Sequence, residues 1–378
     1  MKLFKKKEDM QQQIPQQVEM KSYYQPLGKA IWSEQNYDAF CRNGYAKNVI
    51  VARCINLIAK NASSIPFVVY DKRTNKTLEE HYLTKLLKKP NPMQSGIEFF
   101  ENLYAYKLIA GNSYILNNME RELYLLRPDR ITIISDNCIT PFGYKYKVGK
   151  EEKIFYVDKI TGKSDILHIK NFNPINDYYG LSPIEIANYA IEQHNEASRW
   201  NKAMLQNAAK PSGALILKSN NDNPIFLTEE QYNRLREQID NNFSGAANGG
   251  RPLLLEGCLE WKQMSLSPID MDFLNTKNNS AREIALAFGV PAQLLGINGD
   301  NTYNNMAEAR LSFWEETILP LLDNTIEIFN NYFCDENISL YYDKDKISAL
   351  SSKQEIYWNK IANANFLSNE EKKKLLDI

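Results

Sequence analysis

Only three histidines, His81, His168 and His194, occur in 378 residues. That scarcity removes most metal and acid–base chemistry at once, because no Cys-x-x-Cys pair accompanies them to make zinc-type ligand spacing. The five cysteines, Cys41, Cys54, Cys138, Cys258 and Cys334, are scattered and odd in number. They argue for free thiols in a reducing compartment. No Gly-x-x-x-x-Gly-Lys-Ser/Thr loop is present to cradle phosphate, and no Gly-x-Ser-x-Gly elbow to present a nucleophile. The run Gly245 to Gly250 has no lysine after it and reads as a plain loop. Glu229-Glu230 and Glu315-Glu316 are adjacent on helical patterns, so each pair diverges and reads as solvated face. His168, after strand-like Ile166-Leu167, reads as structural, and His194 as a hydrogen-bonded or exposed residue. An enzyme has no residues to stand on, and neither cofactor nor metal is expected.

Charge of one sign is lacking too. The formal net charge is -1, so there is no global pull toward nucleic acid or membrane. No run approaches the roughly 20 apolar residues of a membrane span. The start, Met1-Lys2-Leu3-Phe4-Lys5-Lys6-Lys7, lacks a signal-peptide core. What remains is ordinary for a soluble globular chain: 43% hydrophobic and 24% charged residues, with length for two or three domains.

The expected organisation is α+β. Residues 1–25 are polar and glutamine-rich and read as a disordered arm. Helical spacing from Ala46 to Lys60 gives way at Ser64-Ile65-Pro66 to a strand, Phe67 to Tyr70. A short helix, Leu83 to Leu87, ends at Lys89-Pro90-Asn91-Pro92, and Ser95-Gly96-Ile97-Glu98 is a capping box for the next helix. After Gly111-Asn112-Ser113 come six strand-like runs, 114–116, 122–126, 131–134, 144–148, 154–157 and 166–169. Ser182-Pro183-Ile184-Glu185 starts a helix that nothing should break until Lys210-Pro211, about 27 residues or roughly 40 Å. A module follows: a strand, Gly213 to Leu217; a helix capped at Thr228-Glu229-Glu230-Gln231; and a hairpin of Leu253-Leu254-Leu255 with Leu259-Glu260-Trp261. Ser267-Pro268 caps a second long helix to about Phe288, which puts the module at the end of a two-helix stalk.

The segment Asn298, Gly299, Asp300, Asn301, Thr302, Tyr303, Asn304, Asn305 is polar and carries one charge. Such a run buries too little apolar surface to order itself, while its flanks are apolar and periodic. A polar loop on a rigid frame is a place for function, here for touching something and not for cutting it. Sparse charge suits a surface that lets DNA slide past, since each phosphate contact steepens salt dependence. A helical pattern resumes at Met306 and runs to Phe333, with Pro320 expected to kink it. Ser368-Asn369-Glu370-Glu371 caps a short terminal helix.

Several stretches occur in an order that resembles the siphophage-type portal family of tailed bacteriophages. They are Leu86-Leu87-Lys88-Lys89-Pro90-Asn91-Pro92, Gly111-Asn112-Ser113-Tyr114-Ile115, Gly180-Leu181-Ser182-Pro183, Asn207-Ala208-Ala209-Lys210-Pro211-Ser212-Gly213, Gly249-Gly250-Arg251-Pro252-Leu253-Leu254-Leu255, Phe288-Gly289-Val290-Pro291 and Tyr303-Asn304-Asn305. The resemblance implies a head–tail connector, a ring usually of about twelve subunits at one capsid vertex of the virion, assembled in the host cytoplasm. Double-stranded DNA would be packaged and ejected through its bore. It implies a wing over 26–181, stem helices over 182–210 and 266–289, and a clip over 211–265. A tunnel loop and kinked wing helix would span 290–335, and a helical region with a short crown 336–378. Asn298 to Asn305 would face DNA, and Asn248, Gly249 and Arg251 would lie on the clip's docking surface. The implied partners are the terminase large subunit, a head–tail adaptor, and major capsid and scaffold proteins, with no membrane. The other reading is a capsid-associated or scaffold protein without a channel.

Overall fold

The computed structural model describes residues 36–371 except 75, 119–120, 136–139, 207–212, 218–227, 232, 235–236, 238–258, 264–272, 298–302, 345–346, 365–367 and 369. The polar arm 1–25, the caps at Ser267 and Pro268, and the strand expected at Leu253 to Leu255 lie outside these residues.

A one-turn helix, α1 (Tyr37–Ala39), runs straight into a π-helical segment, Phe40–Ala46. Asn48 then caps α2 (Val49–Ser63), its Oδ1 accepting from the Ile50 and Val51 amides. Strand β1 (Phe67–Asp71), the short β2 (Lys76–Thr77) and helix α3 (Tyr82–Lys88) follow. Ser95 opens α4 (Gly96–Ala110), its Oγ accepting from the Glu98 amide at 3.3 Å. Helices α2 and α4 bury Cys54, Ile55, Ile58, Phe99 and Leu103 together, the centre of the main core.

Next come β3 (Asn112–Asn117), β4 (Leu123–Leu126), β5 (Ile131–Ile134), β6 (Gly143–Val148), β7 (Glu151–Tyr156) and β8 (Ile166–Lys170). They form two antiparallel sheets, ordered β4-β3-β8 and β5-β6-β7. A second, smaller core of Tyr114, Leu126, Ile131, Tyr144, Phe155 and Ile166 joins them. All six expected strands are present, since each was bounded by its own turn formers.

Three expectations are corrected. The helix after Ser182 is not one rod: α5 (Pro183–Ile186) and α6 (Asn188–Gln206) meet at Ala187, which has left helical geometry at φ -86 and ψ 8. Backbone bonds still cross the joint, from Ala187 to Pro183 and from Ile191 to Ala187, so the two pieces stay in line of bonding. Strand β10 (Leu259–Gln263) pairs antiparallel with β9 (Gly213–Leu217), and the hairpin expected with Leu253 to Leu255 lies outside the described residues. After α7 (Phe273–Ala287), helix resumes at Tyr303 and not Met306: α8 spans Tyr303–Ser312. Asparagine is a weak helix former in the interior but tolerated in a first turn, whose amides have no intrahelical partner anyway. The C-terminal region is not wholly helical, because β11 (Ile338–Tyr342) pairs antiparallel with β1.

Pro320 does perturb its helix, and it does so as a π-helical segment. Residues Phe313–Ile318 are wound wide, with the Leu319 amide donating to Trp314 O five residues back, before α9 (Leu319–Phe333) begins. Proline has no amide to donate and its ring crowds the carbonyl four residues earlier, so the turn before it opens. Helix α10 (Ser351–Ala362) follows. At Ser368 the expected capping box is closed both ways, with Ser368 N–H donating to Glu371 Oε2 at 2.8 Å and Glu371 N–H to Ser368 Oγ at 3.3 Å.

Candidate nucleic-acid interface and its frame

Two of the sequence motifs meet in space. Gly111 ends α4 with φ 72, and the next residue, Asn112, reaches across to Gly180. Asn112 Nδ2 donates to Ala110 O and Gly180 O, while its Oδ1 accepts from the Gly180 amide at 2.7 Å. With the amide oriented by those two carbonyls, His168 Nε2, 3.0 Å from Asn112 Oδ1, must be the protonated nitrogen. Burial, and secondarily the Lys170 charge, push the His168 pKa down to about 3, so the ring is neutral. Beside this, Ser182 does two jobs: its Oγ accepts from the Ile184 amide and donates to Ile109 O at 2.6 Å. The start of α5 is therefore bolted to the end of α4. The structural reading of His168 and the cap at Ser182 both hold.

Helices α6 and α7 pack along each other. Ala190, Ala197, Ala281 and Ala285 are buried, and small side chains let the two backbones approach. Ser280 Oγ donates to Gln193 Oε1 at 3.0 Å across the pair. Several apolar side chains along these elements are exposed: Tyr189 on α6 is 67% and Leu286 on α7 80% accessible, both off the buried alanine stripes, while Ile186 at the end of α5 is 58% and Leu274 at the start of α7 75%.

Helix α7 ends in a way that sets the loop beyond it. The Val290 amide bonds Ala285 O at 2.9 Å and the Gly289 amide bonds Leu286 O at 3.0 Å, with Gly289 at φ 66. This is the Schellman pattern, and it needs a residue that tolerates the left-handed region. Pro291 then leads into a 3-10 turn, Ala292–Leu295, closed by Gly296 at φ 73. On the far side of the loop, Thr317 in the π-helical segment donates its hydroxyl to Gly289 O at 2.5 Å. Phe313, Trp314 and Ile318 of the same segment are buried in the main core. The two ends of the polar stretch are thus held by one joint.

Of the DNA-facing candidates, Asn298, Gly299, Asp300, Asn301 and Thr302 lie outside the described residues. Tyr303, Asn304 and Asn305 form the first turn of α8, and Asn305 is exposed. The docking candidates Asn248, Gly249 and Arg251 also lie outside. Gly289 and Thr317 were not singled out as site residues; the only signal was the motif Phe288-Gly289-Val290-Pro291, whose partner is 28 positions away. Among the described residues no group of three or more His, Cys, Asp or Glu side chains could hold a metal ion, and no helix is long and apolar enough to cross a membrane.

Comparison with known proteins fits this frame. An uncharacterised protein of Rickettsia bellii is 47% identical over 337 residues, covering 88% of this chain and 86% of its own. The portal protein of Enterobacteria phage HK97 is 25% identical, over 73% of this chain and 65% of that protein. Two solved structures of the neck of a gene transfer agent particle are each 40% identical. The empty particle's, computed with C6 symmetry, has a TM-score of 0.69 and covers 93% of this chain and 96% of that one. The native particle's, computed with C12 symmetry, has a TM-score of 0.67 and covers 92% and 95%. The phage portal protein family model matches residues 50–377, and the chain belongs to that family: it is a structural, non-enzymatic portal component of a phage-type particle, with an α+β portal fold.

Proposed function

We propose that the chain closes head-to-tail into a ring of about twelve subunits whose bore passes double-stranded DNA during packaging and ejection. The observation that carries this reading is the α6–α7 pair: buried alanines where the helices meet, and exposed Tyr189 and Leu286 off that stripe. Apolar side chains exposed on both helices of one stalk suit a heterologous contact, in which one face of a subunit meets a different face of the next. The C12 symmetry of a similar neck supports the number. In this reading α5, α6 and α7 are the stem, 211–265 is the clip that docks the terminase large subunit and later an adaptor, and 297–305 is the tunnel loop. The α+β body before residue 182 is the wing, set against major capsid and scaffold proteins at the vertex. Particles would assemble in the host cytoplasm.

Native mass spectrometry and negative-stain microscopy test the ring. Wild type is expected as closed rings of about twelve copies, while Tyr189→Glu with Leu286→Glu gives folded monomers. Folded wild-type protein that stays monomeric with capsid components present returns the chain to the channel-less scaffold reading.

A further inference from the structure

Asn48 is 1% exposed and His194, 146 positions later on α6, is 7% exposed. The Asn48 amide has no freedom to flip. Its Oδ1 already accepts from the Ile50 and Val51 amides at 3.0 and 3.2 Å, so the cap of α2 fixes which end is oxygen. Its Nδ2 therefore faces α6, donating to Asn195 Oδ1 at 3.0 Å and lying 3.2 Å from His194 Nδ1. Asn195 in turn donates to Asn43 O in the first π-helical segment at 2.9 Å. An NH₂ group aimed at Nδ1 requires that nitrogen to be bare. His194 must then be the neutral Nε2–H tautomer for the joint to close.

We propose that Asn48, His194 and Asn195 form a proton-sensitive latch that fixes α6 against the start of α2, and that protonating His194 Nδ1 opens it. A proton on Nδ1 would set donor against donor inside a buried contact, where neither group can turn to water. The charged residues on the elements packed here are Arg42 in the π-helical segment and Lys47 at its end, Arg53 on α2, Lys277 and Arg282 on α7, and Glu192 and Glu196 on the histidine's own helix; of these it is the Lys277 charge that acts on His194. Burial first, and the Lys277 charge second, hold the His194 pKa below its ordinary 6.5. Both keep the latch shut at neutral pH. The sign follows: the latch is intact above pH 6.5 and is lost as pH falls through the lower folded pKa. In the portal reading, which names these elements stem and wing, acid would loosen the stem on the wing. The geometry itself does not depend on a ring.

The test is hydrogen exchange by mass spectrometry on the full chain, across about pH 5 to 8 and corrected for intrinsic rates. His194 C2–H exchange gives its pKa, and amide exchange reports residues 49–53 and 190–197. Wild type should titrate His194 below 6.5, with protection in both peptides falling together, by about tenfold for the loss of one buried hydrogen-bonded contact, through that midpoint. His194→Gln, whose Oε1 accepts from Asn48 without titrating, should keep the neutral-pH protection and lose the acid opening. Three results would overturn the latch: a His194 midpoint at or above 6.5, wild-type protection that ignores pH, or acid opening in His194→Gln as large as in wild type. If His194→Gln does not fold, the wild-type titration and peptide protection still decide. Loss of ring formation with an intact latch would count against the portal ring alone.

Discussion

Gly111 and Gly180 press backbone on backbone, and there the smallest change has a large cost. A Cβ on Gly180 would overlap the Gly111 carbonyl and come within 2.6 Å of the Asn171 amide, neither of which can rotate away. Gly180→Ala should therefore cost about 2–4 kcal/mol, read as a lowered thermal midpoint. Lys107 makes the opposite case. It is 5% exposed, and the contact recorded for its ammonium is Asn324 Oδ1 at 3.2 Å. Burial pushes its pKa down to about 8 from 10.5. The folded amine sheds its proton more readily than the unfolded one. The resulting cost is absent above pH 10.5 and grows as pH falls toward 8. Lys107→Met should stabilise the fold by about 1–2 kcal/mol near pH 7 in urea titrations, with a smaller gain near pH 10. A loss of stability at both pH values would show that the Asn324 contact outweighs the desolvation.

At the scale of elements, the joint between the end of α7 and the π-helical segment governs the loop's ends. Thr317→Val keeps the shape and removes the hydroxyl, leaving Gly289 O without that donor. The expected cost is about 1 kcal/mol by denaturant unfolding. Rings should still form, but faster hydrogen exchange is expected at 286–296 and 303–317. Unchanged exchange there would mean that core packing of Phe313 and Ile318 alone holds the joint. Legibility divides along the same line. Caps at Ser95, Ser182, Thr228 and Ser368 could be read because donor and acceptor lie within a few residues of each other. Pro320 announced trouble, but whether its helix would bend or widen depended on how Phe313, Trp314 and Ile318 met the core. The pairing of β11 with β1 could not be read, since Val68 and Tyr341 are brought together only by the fold. The same distance hid the contact of Asn48 with His194: each falls within a helical pattern, 46–60 for one and 183–210 for the other, and nothing local joins them.

On the scale of the whole molecule, the question is what a ring of these chains offers to DNA. A net charge of -1 gives no global grip on phosphate. Contact would then be decided by whichever residues ring the bore, and 297–305 offers asparagines, a threonine, a tyrosine and one aspartate. Neutral polar groups can exchange bonds with water and phosphate at little net change, so a strand moves past without being trapped. In the proposed ring about twelve copies would multiply any added charge. Asn301→Lys with Asn304→Lys would place about two dozen cations around one narrow girdle, each able to displace counterions. The variant should leave folding and ring closure intact and slow packaging. The slowing should be strong at low salt and fade as salt screens the added charge over about 10 Å at 0.1 M. Packaging rates in a defined motor assay, at two salt concentrations, separate this from a folding defect, which salt would not rescue in that pattern. Normal filling and retention by particles lacking residues 298–302 would show that DNA meets the ring elsewhere.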